Sequence, residues 1–172
     1  MNYKVPEQLE SERLILRQFQ DADWQDLHKY YSDEAATVFT YHRGLTEGET
    51  WRVMCSMIGH WQVRGYGPYA VEDKSSGRVL GTVGFWYPND WPDLEIKWGL
   101  ARQYWGMGFA KEGAGLVHAA GREYLPEHAL ISLIHPDNKP SIGVAKAIGA
   151  KLESSVEYEG EPHGIYRHKT TA

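Results

Sequence analysis

The sequence predicts a single α/β (α+β) domain, and three observations carry that prediction. Strand-length apolar runs alternate with helical patterns in the order strand, two helices, three strands, helix, strand, helix, two strands. The 172 residues suit one domain better than two. Hydrophobic residues at 42% and charged residues at 24% are ordinary for a globular chain, which excludes a disordered, collagenous or coiled-coil protein.

The elements follow in chain order. Arg13–Arg17 is a short apolar run between charges and reads as a strand. Asp21 and Asp23 offer N-caps for a helix through Trp24, Leu27 and Tyr30–Tyr31. Thr46-Glu-Gly-Glu49 is a capping box, opening a second helix with Trp51, Met54, Ile58 and Trp61 on its apolar face. Tyr69–Glu72 and Val79–Tyr87 read as the second and third strands, joined by the turn Asp73–Gly77, and Leu94–Leu100 as the fourth. Residues 109–125 are helical in pattern, with Phe109, Leu116, Val117, Ala120 and Tyr124 near one face. Ala129–His135 is a further strand, Pro140–Ile148 a short helix, and Val156–Tyr158 with Ile165–His168 the closing strands.

Charge and composition narrow the function. Lys and Arg total 18 against 23 Asp and Glu, a net charge of −5. Electrostatic binding to nucleic acid or anionic lipid is not expected as the main task. The longest charge-free runs, Val53–Val63 and Val79–Asn89, are 11 residues each, short of the about 18 a membrane span needs. Cys55 is the sole cysteine, which excludes an internal disulfide and a cysteine metal cluster and fits a reducing cytoplasm. It lies in an apolar helical run and is expected to be buried and inert. None of the eight histidines has ligand spacing, so no metal is expected.

The segment Glu95–Ala110 carries the strongest chemical signal. A strand ends near Leu100, and Gln103-x-x-Gly106-x-Gly108 then opens a helix. Glycines there let successive N–H groups turn toward one point, and the helix N-terminus adds positive potential, a combination that holds phosphate. A second copy, Gln62-Val-Arg-Gly65-Tyr-Gly67, follows a helix and leads into a strand. That is the reverse order, and it reads as a helix C-cap and turn. A P-loop is absent, and Lys111 stands where a dinucleotide fingerprint requires its third glycine.

These residues resemble the GNAT superfamily of acyl-CoA-dependent N-acetyltransferases, most of all its RimJ/RimL-type branch. Four segments match in order over about residues 8–170: Leu9–Arg17, Gly77–Phe85, residues 95–110, and Asn138-x-x-Ser141 running on to Ile148-Gly149. The resemblance implies a mixed, mostly antiparallel central sheet of about six to seven strands flanked by about four helices. In that fold the fourth and fifth strands splay to admit the pantetheine of acetyl-CoA. By the same resemblance, backbone groups of Trp98 and Leu100 bind the pantetheine, with the Leu100 amide also polarising the thioester carbonyl. The amides of Gln103, Tyr104, Trp105, Gly106, Met107, Gly108, Phe109 and Ala110 hold the pyrophosphate, and Asn138 contacts the pantetheine side. Many relatives carry a tyrosine seven residues after the asparagine to protonate the leaving thiolate. That position is Ala145 here, and Ser141 is the replacement donor on offer.

An acceptor amine must lose a proton before it attacks. An α-amino group, titrating near 7.7–8.0, needs less help from a base than a lysine near 10.4. Glu95 stands where many relatives place a glutamate general base; the other reading of it is a surface ion pair with Lys97, two residues along one strand face. Trp86, Trp91 and Asp93, in an aromatic and acidic stretch after the third strand, are candidates for the acceptor site. The expected partners are acetyl-CoA and an amine, either a protein N-terminus or a small diamine or antibiotic. A non-catalytic acyl-CoA-binding domain stays open because of Ala145. The edge strands and aromatic faces are compatible with a homodimer.

Overall fold

The computed structural model describes residues 3–169, so residue 170, the end of the predicted domain, lies outside it. Eight strands form one sheet in the order β1-β2-β3-β4-β5-β6-β8-β7. They are β1 Gln8–Glu10, β2 Leu14–Arg17, β3 Pro68–Asp73, β4 Val79–Trp86, β5 Leu94–Leu100, β6 Leu130–Ile134, β7 Lys151–Tyr158 and β8 Glu161–Arg167. Every pairing is antiparallel except β5–β6, which is parallel and spans only Leu94↔Leu130 and Glu95↔Ile131. Beyond that point the two strands part, and the sheet is split as the resemblance implies.

Five helices cover the sheet: α1 Trp24–Tyr31, α2 Glu34–Thr37, α3 Glu47–Arg64, α4 Phe109–Tyr124 and α5 Lys139–Ala147. α1 and α3 pack on one face, α4 and α5 on the other. The predicted capping box is present, with Thr46 Oγ1 accepting the Glu49 N–H and the Glu49 carboxylate accepting that of Thr46. Gly65 ends α3 in the left-handed conformation, φ +79°, so the second glycine motif is the C-cap it was read as.

The sheet has one strand and one helix more than the upper expectation. β1 is a three-residue edge and α2 a single turn, both too short to show periodicity. β7 is longer than the predicted Val156–Tyr158 because it is an exposed edge strand without an apolar alternation. Two helix faces also differ from expectation. The buried side of α3 is Thr50, Met54, Met57 and Trp61, while Trp51 is exposed and Cys55 is only half-buried. In α4 the sheet is met by Phe109, Gly113, Ala114, Val117, Ala120 and Gly121, with Tyr124 exposed. Small residues let this helix lie close to β4, where a Cβ on Gly113 would stand 3.3 Å from Val83. No such contact accounts for Gly115.

β4 is buried on both faces, and β5 has two different ones. Leu94, Ile96 and Leu100 join the core under α4. Glu95, Lys97 and Gly99 point the other way, and a Cβ on Gly99 would collide with the Tyr30 ring of α1.

Candidate active site

Three groups of residues converge on the split between β5 and β6. The first is the glycine loop. After β5 a tight turn forms, with Tyr104 N–H donating to Ala101 C=O at 2.9 Å and Trp105 N–H to Arg102 C=O at 3.1 Å. Gly106 and Gly108 are both left-handed, φ +74° and +82°, and α4 begins at Phe109. Among the described residues, the amides of Gly106, Met107 and Gly108 have no acceptor. They adjoin the unpaired first-turn amides of α4, including those of Phe109 and Ala110. Nothing lies within 4 Å of the position a Gly106 Cβ would take, so the loop is open on its outer side. Arg13 braces it from below, donating to Met107 C=O at 3.0 Å and to Glu112 at 2.7 Å, with its guanidinium 4.3 Å from the Phe109 ring centre. The loop can therefore hold a pyrophosphate. The amides of Tyr104 and Trp105, predicted to share that task, are already committed to the turn.

The second group lines the split itself. Ala101 N–H donates to Leu80 on the β4 side at 2.9 Å, so by alternation the backbone groups of Trp98 and Leu100 face the gap. The Leu100 carbonyl accepts the Trp105 indole N–H at 2.8 Å, which leaves its amide as the group directed at a ligand. Asn138 caps α5 by accepting the Ser141 N–H at 3.2 Å. Ser141 Oγ accepts the Trp98 indole N–H at 3.3 Å, so the hydroxyl proton is uncommitted. Ala145 is fully buried in α5 and is not among the residues lining the cleft described below.

Glu95 is the centre of the third group. It is 7% exposed and sits where β5 and β6 diverge. Its Oε2 accepts the Trp91 indole N–H at 2.7 Å and its Oε1 the Leu133 amide at 3.1 Å. Burial pushes its pKa up to about 7; the Lys97 charge and the two N–H donors oppose that rise without cancelling it. The surface ion-pair reading is therefore corrected: no salt bridge joins Glu95 to Lys97 among the described residues. The Lys97 ammonium lies 4.7 Å from the Trp86 ring centre, and burial lowers its pKa.

The second and third groups border a cleft of about 610 Å³ whose walls include Trp86, Trp91, Glu95, Trp98, Asn138 and Ser141. Asp93 is not among them. It is held outside by Arg167 at 2.8 Å, and the acidic loop residue that does reach the cleft is Asp90. Sequence reasoning also missed part of the wall. Loop residues Phe39–His42 and, from the β7–β8 hairpin, Tyr158, Glu159, Glu161 and His163 also line the cleft. Glu161 stands 3.7 Å from His135 and 3.9 Å from His42. Two non-glycine residues there are left-handed, His42 at φ +57° and Glu159 at φ +52°. Such backbone collects at ligand sites, but no periodicity announces it in a sequence. The Tyr30–Tyr31 pair was visible in α1; its place in the wall was not. Among the described residues there is no His, Cys, Asp and Glu grouping able to hold a metal, and no helix is long and apolar enough to cross a membrane.

Comparison with known proteins agrees with this geometry. The chain is 30% identical to the uncharacterized protein YkkB of Bacillus subtilis, over 99% of each chain. It is 29% identical to the uncharacterized N-acetyltransferase p20 of Bacillus licheniformis, over 89% of this chain and 88% of that one. A solved acetyltransferase from Agrobacterium tumefaciens superposes with a TM-score of 0.84 at 25% identity, covering 98% of this chain and 97% of its own. The family model described as the acetyltransferase (GNAT) domain matches residues 13–151. With the split sheet, the open glycine loop and the buried carboxylate in hand, that match shows that the chain belongs to the GNAT acetyltransferase superfamily.

Proposed function

We propose that the protein moves an acetyl group from acetyl-CoA directly to a primary amine, with Glu95 as the general base. The observation that carries this reading is the Glu95 carboxyl, buried at the fork of the sheet with a pKa near 7. A base with that pKa is part-ionised at neutral pH and can still accept a proton from an ammonium. Glu95 takes the proton, directly or through a water. The freed amine attacks the thioester carbonyl, the carbonyl carbon–sulfur bond breaks, and the nitrogen sheds its second proton as it becomes an amide; Ser141 can relay that proton to the leaving thiolate, giving and regaining its own. The Leu100 amide polarises the carbonyl, and the loop from Gly106 into α4 binds the pyrophosphate.

The acceptor is best read as a small cationic amine. Asp90, Glu95, Glu159 and Glu161 make the cleft acidic, and Trp86, Trp91, Tyr41 and Tyr158 give it aromatic walls. A volume of about 610 Å³ is in the ordinary range for small-molecule sites. A peptide N-terminus, the acceptor implied by the RimJ/RimL likeness, would have to pass the wall at Glu161. A protein with a single, half-buried cysteine fits the cytoplasm, where acetyl-CoA is available.

Two measurements test this. Acetyl-CoA at 100 times its dissociation constant should add about 2.7 kcal/mol of stability to the wild type. Gly106→Glu, which places a carboxylate in the loop, should abolish the gain. Thiol release should then follow addition of diamines or aminoglycosides more readily than of peptides. Wild-type protein that acetyl-CoA does not stabilise ends the reading, and peptides as the better substrates reverse the acceptor assignment.

A further inference from the structure

The fork of the sheet holds a second side chain that the proposed chemistry does not use. If the parallel register of β5 and β6 continued past Glu95↔Ile131, the next bond would run from Leu133 N–H to Ile96 C=O. Both groups point into the fork, yet each has another partner. Leu133 donates to Glu95 Oε1 at 3.1 Å, and Ile96 C=O accepts the Ser132 hydroxyl at 2.7 Å. One backbone bond is replaced by two side-chain bonds, and there the strands part.

Ser132 is 1% exposed and has a single proton, which Ile96 receives. Its oxygen must then accept from His168 Nε2, 2.9 Å away. This assigns the His168 proton to Nε2 and leaves Nδ1 as a bare acceptor. That nitrogen is buried with no partner among the described residues. Burial, with His118 and Arg167 close by, lowers the His168 pKa to about 4 and keeps the ring neutral. An apolar ring of similar shape would avoid the unsatisfied nitrogen, so the histidine is better explained by what its Nε2–H does.

We propose that Ser132, oriented by His168, is a positioning residue that ends the β5–β6 ladder at Glu95. The backbone of Trp98 and the amide of Leu100 thereby stay free for the acyl donor. The inference rests on the acetyl-CoA reading above. Without the Ser132 hydroxyl, Ile96 C=O would draw the Leu133 amide away from Glu95 and extend the ladder by one bond. The gap would narrow, and the base would lose a donor.

The test compares Ser132→Ala, Ser132→Thr and His168→Phe by acetyl-CoA calorimetry, by thermal unfolding without ligand and by pH–rate profile. Ser132→Ala should weaken acetyl-CoA binding about tenfold, the effect of one lost hydrogen bond, and move the acid limb of the rate to higher pH. Ser132→Thr keeps the hydroxyl and should restore both. His168→Phe should weaken binding while its unliganded Tm holds or rises. Binding within about twofold of wild type in both Ser132→Ala and His168→Phe overturns the proposal. A His168→Phe loss explained by an equal loss of fold stability overturns it too. Both results presuppose a wild type that binds acetyl-CoA; if it does not, the parent reading has failed instead.

Discussion

Glu95 and Leu133 are joined across the fork of the sheet by a hydrogen bond of 3.1 Å from a backbone amide to a side-chain oxygen. The bond stands where a ladder bond between β5 and β6 would otherwise form, so the Glu95 carboxylate and the gap between the strands meet at one point. The indole of Trp91 holds the second oxygen at 2.7 Å, which fixes the carboxylate plane.

Replacing this carboxylate separates chemistry from binding. Glu95→Gln should lower kcat by about 10²–10⁴-fold, the usual contribution of a general base, with acetyl-CoA affinity retained. Wild-type activity should rise with pH through about 7, where Glu95 ionises, and the variant should lack that limb. Steady-state kinetics from pH 5.5 to 8.5 check both points; an unchanged limb assigns the ionisation to another group.

The same group makes stability depend on pH. Folding raises the Glu95 pKa from an ordinary 4.5 to about 7, so between those values the native state binds the extra proton. Its contribution is complete below pH 4.5 and is lost as pH rises through about 7. The loss relative to Glu95→Gln should reach about 3 kcal/mol. Urea unfolding at pH 5 and pH 8 measures it, and equal differences at the two pH values would falsify the burial of a titrating carboxyl.

Lys97 tunes that value. Its charge lowers the Glu95 pKa against the effect of burial. Lys97→Met should therefore move the acid limb of the rate to higher pH. A limb that stays in place would mean the ammonium is screened from the carboxylate.

Trp91 and Asp93 are two residues apart in sequence and should behave differently. Trp91→Phe removes an N–H donor from Glu95, which should raise both the acid limb and the acceptor KM. Asp93 is bound to Arg167 outside the cleft, so Asp93→Asn should leave kinetics unchanged and cost no more than about 1 kcal/mol, as for a partly exposed ion pair. A large KM effect at Asp93 would place the acceptor beyond the cleft walls described above.

Local chemistry explains what was legible in the sequence. The Thr46–Glu49 box, the Gly65 C-cap and the Gly106–Gly108 helix start are each written within a few consecutive residues, because caps and phosphate loops are short-range hydrogen-bond devices. Long-range facts were less accessible. Glu95 and Lys97 alternate onto one strand face in any reading, but burial, which decides whether they form a surface pair or a raised-pKa base, comes from elements far along the chain. His42, Glu159 and Glu161 reach the cleft from two distant turns, and Asp93 is withdrawn from it by Arg167, 74 residues away.

Read through its resemblance to the acetyltransferases, the sequence pointed to the kind of chemistry; by itself it determined the order of the longer strands and helices and the glycine-led start of α4. Those follow from side-chain periodicity and from backbone freedom at a few glycines, which neighbours in sequence control. Only the tertiary structure decided where β5 and β6 part, what Glu95 experiences there, and which residues line the cleft. A carboxylate's pKa depends on the solvent it has lost and on the donors it has gained. In this protein those were supplied by Trp91, Leu133 and a sheet that forks beside Ser132.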